Sequence, residues 1–168
     1  MEKIDTVVAA QLAGLCPEQL VWRFLADLAQ SGSGVPVDPD CIRMDLSGHF
    51  RPDGKGKDPR FLPPVSDGGN VWTLGAVAYY LVMGTPVFGG RGHELQKAST
   101  LIPFIPPRRC SRELDGLIRQ CLAYEPEKRP SLKEIAETAS RERTFRKARK
   151  RMFGHPVTND SFWKEEMV

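Results

Sequence analysis

Asn70-Val71-Trp72-Thr73-Leu74-Gly75-Ala76-Val77-Ala78-Tyr79-Tyr80-Leu81-Val82-Met83-Gly84 is a run of helix length with almost no polar face. A helix apolar on every side is either buried all round or embedded in lipid. The uninterrupted apolar part falls short of the roughly 20 residues that cross a bilayer. The run therefore predicts the central helix of a soluble, mainly helical domain, enclosed by the rest of the chain.

Toward the N-terminus, Val7, Val8 and Leu12 predict a short helix over residues 5–13, which Gly14 can end. Cys16-Pro17-Glu18 opens a longer one, because proline suits a first turn and an acid there faces the positive helix end. Leu20, Val21, Phe24, Leu25 and Leu28 carry it at helical spacing to Gln30. Ile42-Arg43-Met44 and His49-Phe50-Arg51 flank a Gly-containing turn and predict one small β-hairpin. Residues 52–69, with four prolines and four glycines, predict loop.

Beyond the central run, a weak helix over about 93–100 leads into a Pro-rich stretch at 102–107. Ser111 is placed to cap a helix whose inward stripe is Leu114, Leu117, Ile118, Cys121 and Leu122. Ser131-Leu132-Lys133-Glu134 is a capping-box pattern, in which hydroxyl and carboxylate each satisfy a free N–H of the first turn. Leu132, Ile135 and Ala139 face inward from that last helix.

The net charge of +3 conceals a strong asymmetry. Residues 141–151 hold seven basic side chains and one acidic one, whereas residues 1–140 sum to −1. This divides the chain into a body, 1–140, and a basic C-terminal helix and tail, 141–168. Arg143, Arg146, Lys147 and Lys150 fall on one helical side of that segment, and Phe145, Ala148 and Met152 on another. The plainer expectation packs the Phe145 stripe on the body and leaves the basic side solvated. The alternative is contact with an anionic membrane or an acidic partner.

Cys16, Cys41, Cys110 and Cys121 show no paired spacing and no histidine pattern, so reduced, partly buried thiols are expected and zinc is not. Asp38, Asp40 and Asp45 lack the Gly/Glu pattern of a calcium loop. His49, His93 and His155 have no nucleophile or acid arranged around them. No metal and no cofactor is expected. With no basic-then-apolar leader in the sequence, a cytoplasmic location is expected.

Two stretches resemble the protein kinase C-terminal lobe. Val71–Gly75, followed by Leu81-Val82-Met83-Gly84-Thr85-Pro86-Val87-Phe88-Gly89-Gly90, is similar to the long central helix of that lobe and its exit loop. Leu117-Ile118-Arg119-Gln120-Cys121-Leu122-Ala123-Tyr124-Glu125-Pro126-Glu127-Lys128-Arg129-Pro130-Ser131 resembles the kinase ending L-I-x-x-C-L-x-x-x-P-x-x-R-P-S. Pro17–Gln30 is similar to the helix before the catalytic loop, and Ile42–Arg51 to the hairpin after it. The resemblance spans about residues 5–140. It implies a kinase-like C-lobe, a helical bundle around a buried central helix with one small β-hairpin.

The chemistry of that family does not carry over. Kinases hold phosphates with a Gly-rich loop and a strand lysine of the N-terminal lobe, and no residues upstream of the match supply them. The stretch matching H-R-D-L-x-x-x-N is Gly34-Val35-Pro36-Val37-Asp38-Pro39-Asp40-Cys41. Pro36 stands where the catalytic base belongs, and Cys41 where a metal-binding asparagine belongs. Arg51-Pro52-Asp53-Gly54-Lys55-Gly56 replaces the D-F-G region, with Asp53 as a remnant. Phe61-Leu62-Pro63-Pro64 resembles A-P-E without its glutamate, so Arg129 needs another partner, either Asp67 or water. Asn70 replaces the aspartate that braces the kinase catalytic loop.

The expectation is a catalytically inactive, pseudokinase-like C-lobe that binds another protein, similar in kind to the kinase non-catalytic C-lobe domain and its signalling role. The partner-contact candidates are Val7, Val8 and Leu12, which otherwise close the body, and Arg143, Arg146, Lys147 and Lys150. Two alternatives stand beside it. One is half of a split kinase completed by a second chain, which Pro36 opposes. The other is a binder of nucleic acid or acidic surfaces through 141–151, whose affinity would fall steeply with salt.

Overall fold

The computed structural model describes residues 6–31, 37–56, 58–66, 70–89, 96–97 and 100–153, the last nine as the backbone course of a helix. In chain order the elements are β1 (Thr6–Val8), α1 (Glu18–Ser31), β2 (Ile42–Asp45), β3 (Phe50–Pro52), α2 (Val71–Met83), α3 (Arg112–Cys121) and α4 (Leu132–Phe153). Short 3-10 turns lie at 9–12, 39–41, 59–61 and 126–128. The fold is mainly helical, with a small antiparallel sheet at one side.

α2 is the apolar run, and it is buried on all faces. Trp72, Leu74 and Leu81 are each at most 1% exposed, and only Tyr80 and Met83 reach partial exposure. α1 and α3 pack on it, and the 59–61 turn closes a further side, where Phe61 meets Tyr80 edge-on at 5.4 Å. Burying each such side chain contributes about 1.5–3 kcal/mol, so α2 is the energetic centre of the body. Two of its polar groups are matched by neighbours. Thr73 Oγ1 donates to Phe61 O at 2.7 Å, and Trp72 Nε1 donates to Gln96 Oε1 at 2.9 Å. Buried Gln96 in turn donates from Nε2 to Leu122 O at 2.8 Å and ties α2 to the end of α3.

Two glycines set how closely other parts approach α2. A Cβ on Gly75 would lie 2.6 Å from Cys121 Cβ, so α2 and α3 cross at a point that admits no side chain. Gly84 ends α2 in the left-handed region at φ 84°, donating to Tyr80 O, where an L side chain is strained.

The sequence expectation of a helix over 5–13 is corrected. Thr6–Val8 form a strand that pairs antiparallel with β2, Val7 opposite Met44 and Val8 opposite Arg43, and only residues 9–12 turn helically, as 3-10. The expected two-stranded hairpin is thereby a three-stranded sheet in the order β1-β2-β3. The backbone of a three-residue segment is satisfied by pairing with a strand distant in sequence, which local spacing of Val7, Val8 and Leu12 does not report.

α1 packs along α4, where Ile135 and Ala139 are fully buried and Leu132 partly so. The capping box is present: Ser131 N donates to Glu134 Oε1 at 2.8 Å and Glu134 N to Ser131 Oγ at 3.1 Å. α4 then runs unbroken through residue 140 to Phe153, so body and basic segment share one helix. The expected weak helix at 93–100 lies mostly outside the described residues, as do Gly32–Gly34, Pro36, Asp67, His93, His155 and Trp163.

Candidate functional site

The segment that the kinase resemblance would make catalytic is residues 37–61, built from β2, β3 and the turns around them. Asp38 caps the 39–41 turn, its Oδ1 accepting from Asp40 N–H at 3.0 Å. Its Oδ2 accepts from Asp58 N–H at 3.1 Å, so one buried carboxylate joins the entry of the hairpin to the loop that follows it. The same contact is repeated along the loop. The Cys41 thiol donates to Lys55 O at 3.4 Å and Asp53 N–H to Cys41 O at 2.6 Å. Gly56 sits so tightly that a Cβ there would be 2.5 Å from the Val37 carbonyl carbon. The loop after β3 is folded down onto residues 37–41.

Asp53, Asp58 and Asp45 are engaged by their neighbours. Asp53 Oδ2 accepts from Arg43 Nε at 2.5 Å. Asp58 caps the 59–61 turn and takes Arg60 in a forked pair, the shorter contact 2.6 Å, and the guanidinium holds its carboxyl below the ordinary value. Asp45 closes the hairpin by accepting from the N–H groups of Ser47 and His49, and the His49 bond is the main reason its pKa is lowered. Burial first, then the Asp38 carboxylate, raises the Cys41 thiol pKa. Among the described residues no group of three or more His, Cys, Asp and Glu is arranged to hold a metal ion.

A second polar centre is buried on the opposite side of α1. Glu18, the first residue of α1, is fully buried. Its Oε1 accepts from Ser111 N–H at 2.7 Å, and its Oε2 accepts from the Ser111 hydroxyl and, at 2.9 Å, from Trp22 Nε1. Ser111 Oγ then accepts from Leu114 N–H at 3.2 Å and caps α3. The carboxylate therefore sits at the positive ends of two helices, its own and α3, where negative charge is stabilised. Arg109 Nη1 donates to Gly14 O at 3.3 Å beside it and secures the loop before α1 to the segment before α3.

That segment, Thr100–Arg109, carries two of the four exposed large apolar side chains among the described residues, the others being Leu15 and Leu46. Leu101 is 89% exposed and Phe104 65%, and Pro107 is exposed too, whereas Ile105 is buried. The chain has no regular secondary structure up to Pro106 and then turns at Pro106–Arg109, where Arg109 N donates to Pro106 O at 2.8 Å. Leu101 and Phe104 form an exposed ridge on this segment, with Ile102 and Ile105 turned toward the body. Asp115 secures it from beneath by accepting from Ile105 N–H. A cleft of about 360 Å³ runs beside the ridge, lined by Phe104, Ile105, Pro107 and the first turn of α3.

Of the residues singled out from the sequence, Val7, Val8 and Leu12 are half-buried, the valines in β1 and Leu12 against the core. Arg143 is half-buried on α4, and Arg146, Lys147 and Lys150 occupy later turns of that helix. Arg129 does not face water: it is buried and donates to Ala123 O at 2.7 Å and Tyr124 O at 3.0 Å, bracing the turn after α3. Asn70 is buried at the start of α2. Cys16, Cys110 and Cys121 are buried free thiols and Cys41 is half-buried. The ridge was not singled out from the sequence.

No model of a known protein family matches the chain, and no curated protein matches it.

Proposed function

We propose that this chain is a non-catalytic, kinase-like C-lobe that works by binding another protein. The order of its elements supports the reading: a helix, a small hairpin, an irregular stretch, a fully buried central helix, then two helices joined by the Arg129 turn. The observation that carries it is the loop after β3 lying on residues 37–41. Both oxygens of Asp38 accept backbone N–H groups, and Asp53 is held by Arg43. In a working phosphotransferase the carboxylate at the position that resembles Asp53 faces a metal ion. Here Asp38 and Asp53 fasten the chain to itself.

The partner surface in this reading is the ridge of Leu101 and Phe104, since large apolar groups left in water at one place favour association. Two experiments test the two halves. A melting curve with millimolar ATP and magnesium is expected to match the curve without them, because a ligand of the native state raises the midpoint by mass action. A clear upward shift would favour the split-kinase alternative. A photo-crosslinking side chain at position 104 is expected to give a discrete protein adduct in cells, absent when it replaces exposed Lys133; equal labelling from both positions would oppose the ridge.

A further inference from the structure

The side of the body that carries the ridge is basic as well as apolar. Lys97, Arg108 and Arg112 are exposed, and Arg109 and Arg119 are half-buried. Two of these arginines hold the ridge segment in place. Arg119 Nη1 donates to Ile102 O at 3.1 Å, and Arg109 Nη1 donates to Gly14 O at 3.3 Å. Gly14 is followed by Leu15, so the second bond brings another exposed apolar side chain beside the basic group. Against these five cations, residues 97–119 include two acids among the described residues. One of them, Asp115, is buried and accepts from Ile105 N–H, which leaves Glu113 in solvent.

The cleft of about 360 Å³ beside Phe104 runs from Ile105 and Pro107 to Arg112 and Glu113. Pockets that enclose a small organic group measure roughly 300–1,000 Å³, so one aromatic side chain is a matching load. Apolar groups set among cations select an occupant that is both aromatic and acidic. Two copies of this side brought face to face would set like charges together, and the basic residues 141–151 are repelled for the same reason. Asp160-Ser161-Phe162-Trp163-Lys164-Glu165-Glu166 supplies the complementary chemistry, two adjacent aromatics with three acids to one lysine. α4 ends at Phe153, and the eight residues 154–161 lead to this stretch. Fully extended they reach roughly 28 Å, about twice the radius of gyration of a body this size. That length is enough to bring the aromatic pair back across the body.

We propose that Asp160–Glu166 docks within its own chain on the ridge of Leu101 and Phe104, with Trp163 in the cleft and Glu165 and Glu166 toward Arg108 and Arg112. A buried indole N–H needs an acceptor, and Glu113 lines the same cleft. The inference rests on the reading of the ridge as a partner surface and deepens it: the tail covers the ridge until a partner displaces it.

The test is a photo-crosslinking phenylalanine derivative at position 104 of the purified full chain, with the adduct located by peptide mass mapping. The expected adduct lies within one chain and maps to residues 160–168. The same side chain at exposed Leu46, on the hairpin turn, is expected to give none. Trp163→Ser is expected to lower the yield at least about fivefold, the loss of one anchoring aromatic. Arg108→Gln with Arg112→Gln is expected to lower it at least about twofold at about 0.1 M salt, from two exposed ion pairs. Retained cooperative melting of both variants shows that the body is folded. No tail adduct from position 104, an equal one from position 46, or an adduct only between chains overturns the proposal. So does a Trp163→Ser variant that links like the parent. Because the readout uses the purified chain, a missing tail adduct is distinct from a missing adduct in cells, which would count against the partner surface instead.

Discussion

Glu18 shows how one side chain couples distant parts of the chain. As an acid in a first helical turn it is legible from Cys16-Pro17-Glu18 alone. Its second task, holding Ser111, joins residues 93 apart and has no local trace. Replacing it by alanine leaves the Ser111 and Trp22 N–H donors buried without this acceptor, each at about 1–3 kcal/mol. Glu18→Ala is therefore expected to cost about 2–5 kcal/mol in a urea titration, with both α1 and α3 loosened. A loss below 1 kcal/mol, about that of an ordinary hydrogen bond, would show that the contact is dispensable. The cysteines give a second expectation at this scale. Burial pushes Cys16 and Cys121 up to about 12, far from thiolate at neutral pH, and Cys110 is buried as well. Alkylation of the native protein followed by peptide mass mapping is expected to modify Cys41 first and the other three only after denaturation.

At the scale of elements, what could be read from the sequence is what short-range physics decides. α2 was legible because its composition fills every face, and the starts of α3 and α4 because capping is settled within four residues. β1 was not: Val7 and Val8 take their conformation from Met44 and Arg43, some 36 residues away. The ridge was equally hidden, since Leu101 and Ile105 have the same hydropathic character and only the tertiary fold leaves one in water and buries the other. The α2–α3 crossing depends on Gly75. Gly75→Ala gains helix propensity of nearly 1 kcal/mol. It also forces a methyl against Cys121 Cβ, and overpacking of this kind costs about 1–3 kcal/mol. The expected balance is a loss of up to about 2 kcal/mol by thermal denaturation. The compensating Cys121→Gly is expected to be non-additive with it, because the two residues share one contact.

At the scale of the whole molecule, the body is a helical bundle closed around α2, with a hairpin face that is fastened by its own loop and a long helix that leaves the body basic. The central claim is that the face over residues 37–61 is occupied by the protein itself and takes no nucleotide. Amide proton–nitrogen spectra recorded while titrating magnesium and a non-hydrolysable ATP analogue test it residue by residue. The account predicts no saturable shift at Asp38, Cys41, Asp53 or Asp58 into the millimolar range. Saturable shifts converging on those four amides would contradict it.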